Sequence, residues 1–269
     1  MAVNLKADYT PLDQPQVLSV LFHPRPELQT HAVHPPSCDV LIPVAEDVDI
    51  GARFHLHSKS DVNILFFHGN GEIVADYHEL GALYNQVNLN FLTVDYRGYG
   101  RSSGQPTVSA MMKDCHTIFR FTCKWLREKG YTGPMIVMGR SLGSASALEL
   151  AAGCSDDIDA LVVESGFSRA GPLLQLLGVD PVAIGFREET GFRNIEKIKS
   201  FDGPTLIIHA QFDHIIAHSE GVALFEASLS ASKTMLTIPD ANHNNIFMRG
   251  FQEYLTAVKQ LSEKVVPSK

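Results

Sequence analysis

Met135-Ile136-Val137-Met138-Gly139-Arg140-Ser141-Leu142-Gly143 runs an apolar strand into the pattern G-x-S-x-G, and Ser144-Ala145-Ser146-Ala147-Leu148-Glu149-Leu150 continues it with small, helix-compatible residues. The pattern asks for a sharp strand-to-helix turn that holds a serine in a strained conformation, its Oγ exposed above the strand ends. Glycines two positions to either side carry no Cβ, so strand and helix can approach closely. Alone, G-x-S-x-G also occurs in ordinary glycine turns. Lodged between a buried strand and a small-residue helix, it points to Ser141 as a nucleophile.

A nucleophilic serine needs a base, and the base needs an acid to orient it. Leu206-Ile207-Ile208-His209-Ala210-Gln211-Phe212-Asp213-His214 puts Asp213 just beyond an apolar strand, and Leu236-Thr237-Ile238-Pro239-Asp240-Ala241-Asn242-His243 puts His243 after the last strand. The order Ser141, Asp213, His243 is the one that accompanies such an elbow. All three lie at carboxyl ends of strands, the edge where open α/β sheets build their sites. His243 is expected to take the Ser141 proton and return it to the leaving group, while Asp213 orients the imidazole and stabilises its cation. Asp240 and Glu164 are alternative acids ranked below Asp213, the first better placed to shape its loop and the second to tie loops together. His209, His214 and His218 crowd the acid loop without an HExxH or matching carboxylate pattern, so no metal is expected. Upstream, Ile64-Leu65-Phe66-Phe67-His68-Gly69-Asn70-Gly71 ends another strand in a turn. Backbone N–H groups of Asn70 and Leu142 are the candidate donors to the oxygen that turns negative in a tetrahedral intermediate, and His68 is read as structural.

The rest of the chain fits this centre. Apolar runs at 63–67, 91–95, 135–138, 161–164, 205–209 and 234–238 alternate with helical stretches at 72–86, 108–129, 142–152, 219–230 and 246–262. That alternation is the signature of βαβ units and a mostly parallel, twisted sheet with helices on both faces. Before it, Val17-Leu18-Ser19-Val20-Leu21-Phe22, Val40-Leu41-Ile42-Pro43-Val44 and Ala52-Arg53-Phe54-His55-Leu56-His57 read as N-terminal antiparallel strands. No linker, repeat or low-complexity tract interrupts the 269 residues, which are read as one domain over 1–269. A net charge of -8 with scattered Lys and Arg offers no basic stripe for nucleic acid or an anionic membrane. Residues 1–8 show no secretory signal pattern, and no apolar run is long enough to span a membrane. Cys38, Cys115, Cys123 and Cys154 have neither CxxC nor framework spacing, which suits a reducing cytoplasm.

On His68-Gly69-Asn70-Gly71, Asp95-Tyr96-Arg97-Gly98-Tyr99-Gly100-Arg101-Ser102, the Ser141 elbow, His209-Ala210-Gln211-Phe212-Asp213 and Ala241-Asn242-His243, the chain resembles the α/β-hydrolase superfamily. Within it the likeness is to small, minimally capped serine hydrolases, a branch that includes protein depalmitoylases and uncharacterised bacterial hydrolases. The first cysteine is Cys38, so the likeness does not extend to the depalmitoylases' N-terminal cysteine cluster. The resemblance implies an α/β-hydrolase fold, no cofactor, scaffolding roles for Asp95 and Arg97, and a short cap at about 168–201. Leu173, Leu176, Leu177 and Phe186 of that cap are expected to wall an apolar substrate pocket. The expected activity is cleavage of a small-molecule carboxylic ester or thioester through an acyl-enzyme. A peptidase or acyltransferase would use the same triad, and a catalytically silent binding protein would use none of it. Dehalogenase and epoxide-hydrolase chemistry needs a carboxylate where Ser141 stands.

Overall fold

Strands apolar at every position must be covered on both faces. In the computed structural model, which describes residues 7–28 and 32–266, that cover is complete. Residues 1–6 of the N-terminal stretch lie outside the description. Among the described residues, eight strands form one sheet: β1 (Cys38–Ala45), β2 (Val48–His55), β3 (Val62–Phe67), β4 (Leu89–Val94), β5 (Met135–Arg140), β6 (Ala160–Glu164), β7 (Thr205–Ala210) and β8 (Lys233–Ile238). Their spatial order is β1-β2-β4-β3-β5-β6-β7-β8. β1 pairs antiparallel with β2, and β2 with β4; from β4 through β3 to β8 every pairing is parallel.

Alternate residues of each central strand point to opposite faces. Leu65, Phe67, Leu92, Val94, Val137, Leu161, Val163 and Ile207 belong to one core. Ile64, Phe66, Phe91, Ile136, Met138, Val162, Leu206 and Ile208 belong to the other. The first is covered by α1 (Pro15–Leu21), α3 (Val108–Glu128), α4 (Gly143–Gly153), α5 (Ala170–Leu176), α6 (Asn194–Lys199) and α7 (His218–Ala227). The second is covered by α2 (His78–Gln86), α8 (Ile246–Arg249) and α9 (Phe251–Val265).

Three expectations are corrected. Residues 17–22 are not a strand: Pro15–Leu21 is helix α1, with Pro at its first turn and Val17 and Leu21 buried one turn apart on the same face. The helix expected over 72–86 starts only at His78, because a 3₁₀ turn (Val74–Tyr77) precedes it, with the Asp76 carboxylate accepting the Ile73 N–H at 3.0 Å. The stretch 246–262 is two helices, interrupted at Gly250. Asp95 and Arg97 do hold loops. Asp95 accepts the Val74 N–H at 2.9 Å, and Arg97 grips Asp114 of α3 through two bonds of 2.6 and 2.8 Å.

Candidate active site

Ser141 follows the last residue of β5 at φ +51, a left-handed backbone that a non-glycine residue adopts only when its surroundings enforce it. The enforcement is visible. The Ser141 N–H donates to the Glu164 carbonyl at 2.9 Å, and its own carbonyl accepts the Ser144 N–H at 3.0 Å and the Ser144 hydroxyl at 2.6 Å. A Cβ on Gly139 would sit 2.3 Å from the Gly143 carbonyl oxygen, and one on Gly143 would sit 2.2 Å from that of Phe67. The elbow therefore closes only because both are glycine, and α4 starts directly against the end of β3.

His243 reaches this serine from the loop after β8, and Asp213 stands behind it at the end of β7. His243 Nε2 lies 3.0 Å from Ser141 Oγ, and its Nδ1 lies 2.7 Å from Asp213 Oδ2. The two loops are stitched together by backbone bonds from Gln211 N–H to the Ile238 carbonyl (3.0 Å) and from Phe212 N–H to that of Ala241 (2.9 Å). Asp213 Oδ1 accepts the N–H groups of Ile215 (3.0 Å) and Ile216 (2.8 Å), which fixes the plane of its carboxylate. Burial pushes the Asp213 carboxyl up, but His243 and these two N–H groups outweigh it and hold the group below the ordinary carboxylate range. The group facing His243 Nδ1 is thus an anion, which favours the tautomer whose Nε2 is free to accept a proton.

The rival residues stand away from the serine or bind other groups. Asp240 is exposed on a turn at φ +54. Both oxygens of Glu164 are taken, one by Arg140 at 2.6 Å and the other by the Tyr254 hydroxyl at 2.5 Å. His209 donates to the Ile216 carbonyl at 2.8 Å, and His218 pairs with Thr237 Oγ1 at 2.9 Å. His68 holds its own loop, with Nδ1 2.7 Å from the Gly69 carbonyl.

Among the described residues, the backbone N–H groups of Asn70 and Leu142 donate to no protein acceptor, although both flank the junction of β3 and α4. The Asn70 side chain is anchored from behind. Its Oδ1 accepts the His23 N–H (2.8 Å) and the Tyr99 hydroxyl (2.7 Å), and its Nδ2 donates to His23 Nδ1 (2.7 Å).

Comparison with known proteins places the fold in a family. Residues 58–183 match the family described as serine aminopeptidase, S33. Human α/β-hydrolase domain-containing protein 17B is 32% identical over 218 residues, 76% of this chain and 67% of the relative. The chain belongs to the α/β-hydrolase superfamily. Mouse α/β-hydrolase domain-containing protein 17C is 29% identical over 235 residues, 83% of this hydrolase and 67% of that protein. Among solved structures, the Pyrococcus furiosus esterase Pf2001 shares the fold at a TM-score of 0.70 and 16% identity, over 90% of this chain and 99% of that one. A soluble variant of Saccharomyces cerevisiae monoglyceride lipase, in complex with a substrate analogue, shares it at 0.66 and 17%, over 90% and 98%. This protein is a serine hydrolase.

Beside Asp213, a cleft of about 240 Å³ opens between α5 and the acid loop of this hydrolase, walled by Phe167, Pro172, Leu173, Leu176, Ile215 and Ile216. Leu173 and Leu176 both line it. Leu177 packs against the core instead, and Phe186, 8% exposed, lies against Gly191 within the segment between β6 and β7. Glu220 of α7 secures one wall by accepting the Ser168 N–H (2.8 Å), the Ser168 hydroxyl (2.5 Å) and the Arg169 N–H (3.1 Å). No helix among the described residues is long and apolar enough to cross a membrane.

Proposed function

We propose that this enzyme hydrolyses carboxylic esters or thioesters through an acyl-enzyme at Ser141, with His243 as general base and acid, Asp213 as its orienting carboxylate, and the N–H groups of Asn70 and Leu142 as oxyanion donors. The observation that carries the reading is the His243 imidazole, 3.0 Å from Ser141 Oγ on one side and 2.7 Å from Asp213 on the other. Ser141 Oγ attacks the carbonyl carbon as His243 Nε2 takes its proton. Collapse of the tetrahedral intermediate expels the alcohol or thiol, which leaves with that proton, and water then repeats the cycle on the acyl-enzyme. The apolar cleft of Leu173 and Leu176 would receive the apolar part of the substrate, with the segment between β6 and β7 acting as a minimal cap over it.

Ester chemistry is supported by the named activities of the solved esterase and lipase neighbours, and amide cleavage by the description of the matching family. Paired ester and anilide substrates of one acyl group separate the two. A fluorophosphonate probe tests the shared core: wild type is expected to label with one equivalent and Ser141→Ala with none. Equal labelling of the two, or none of the wild type, would overturn the reading and favour a silent binding protein.

A further inference from the structure

Arg140, the residue before the nucleophile, is buried and spends its guanidinium on three loops at once. Nε donates to Glu72 Oε1 at 2.9 Å, Nη1 to Glu164 Oε1 at 2.6 Å, and Nη2 to the backbone carbonyl of His243 at 2.8 Å. Glu72 extends the chain of contacts. Its Oε2 accepts the Gly69 N–H at 2.6 Å and the Tyr77 hydroxyl at 2.5 Å, immediately before the N–H of Asn70. A Cβ on Gly69 would lie 2.9 Å from that oxygen, so the carboxylate sits this close only because residue 69 is glycine.

Such a cluster is a poor stability device. Replacing buried ion pairs by well-packed apolar residues is often neutral or stabilising. This one also holds two carboxylates, Glu164 buried and Glu72 half-buried, against one cation, the surplus charge being met by Tyr77, Tyr254 and Gly69. Burial pushes the Glu72 carboxyl up, but Arg140 and Tyr77 hold it down at about 2, so it is an anion at any working pH. What the cluster does achieve is geometric: it joins the elbow, the loop of the base and the loop of the oxyanion donor through one rigid planar fork.

We infer that Glu72 and Arg140 are positioning residues for acyl transfer, Arg140 setting the height of His243 through its carbonyl and Glu72 aiming the Asn70 N–H through that of Gly69. The inference rests on the acyl-enzyme reading above. In Glu72→Gln one amide cannot serve both neighbours. With its oxygen toward Gly69 and Tyr77, its NH₂ meets the Arg140 Nε–H donor to donor. The Asn70 loop then loosens, although no group that touches substrate has changed.

The expected loss is roughly ten- to hundredfold in kcat, the scale of a misplacement of about 1 Å, with KM within about twofold. The pH dependence of kcat/KM should keep its acidic limb, because Asp213 and His243 are intact. Arg140→Lys keeps the charge but not the fork, so it should lose a similar factor. The double variant should lose no more than the worse single one, because both act on one unit. Circular dichroism and thermal melting verify folding. If Glu72→Gln does not fold, Tyr77→Phe, which deletes one hydroxyl from the same carboxylate, takes its place with an expected loss of about threefold or more. Folded variants that label with fluorophosphonate and turn over at the wild-type rate would overturn the inference alone. Failure of wild type to label would instead remove the acyl-transfer reading on which it rests.

Discussion

Changing Asp213 to Asn tests the triad through a single proton. The wild-type carboxylate accepts on both sides: Oδ1 from Ile215 and Ile216 N–H at 3.0 and 2.8 Å, Oδ2 from His243 Nδ1 at 2.7 Å. An asparagine has one oxygen to offer. If it faces the two backbone donors, its NH₂ points at His243 Nδ1, forces the tautomer protonated at Nε2, and leaves Ser141 facing a donor where it needs a base. If it faces His243, two buried N–H groups meet an NH₂, at about 1–3 kcal/mol each for a lost partner. The competent orientation therefore lies about 2–6 kcal/mol above the incompetent one. At 1.36 kcal/mol per decade that is roughly 30-fold to 10⁴-fold in kcat, consistent with about 10⁴ for the same exchange in a serine protease triad. The assay is steady-state hydrolysis of a nitrophenyl ester, with fluorophosphonate labelling rates and a thermal melt alongside. Retention of more than a tenth of wild-type kcat by a folded Asp213→Asn would refute the tautomer reasoning.

Gly143→Ala drives a Cβ to 2.2 Å from the Phe67 carbonyl, so α4 must back away from β3. The expected result is a loss of about 1–3 kcal/mol in urea unfolding together with loss of labelling, and a labelled variant of wild-type stability would contradict it. Stability should fall with acidity in two stages. Burial, with the charge of Arg53 and the neighbouring His78, depresses buried His55 to about 4. Its unfolded state therefore binds a proton first, and stability present above about pH 6.5 drains as pH falls toward 4. Glu72 and Glu149, both held at about 2 although burial pushes them up, contribute stability that is complete above about 4.5 and is lost toward 2. Urea midpoints across this range check the sign, and a His55→Gln protein with an unchanged slope between pH 4 and 6.5 would exclude the first stage. Leu176→Asp, on the wall of the 240 Å³ cleft, should raise KM severalfold for octanoyl but not acetyl esters. Equal KM changes for both would place the acyl chain elsewhere.

What the sequence disclosed depended on how local the physics was. The elbow, the central strands and the loops of Asp213 and His243 each announce themselves within about ten residues, through doubly buried runs ending in turn residues. Residues 17–22 misled because a short apolar run serves a strand or a helix equally. The deciding marks were Pro15 at the first turn and burial confined to Val17 and Leu21. The Glu72–Arg140 contact joins residues 68 apart, and neither carries a local mark; only the folded chain shows that Glu72 and His243 share one guanidinium. The inward turn of Phe186 onto Gly191 is likewise a packing outcome that no periodicity encodes.

Ser141, Asp213 and His243 hang from β5, β7 and β8, and that spread has a kinetic consequence. With His243 as the proposed base, a chain folded only through β6 would hold Ser141 with no base beside it, and the serine would stay inert until the loop after β8 docks. On that proposal, reactivity toward an acyl donor would be a clock for completed folding rather than for folding begun. A partly assembled chain would then be protected from acylating itself, because His243 is the last of the three to be made.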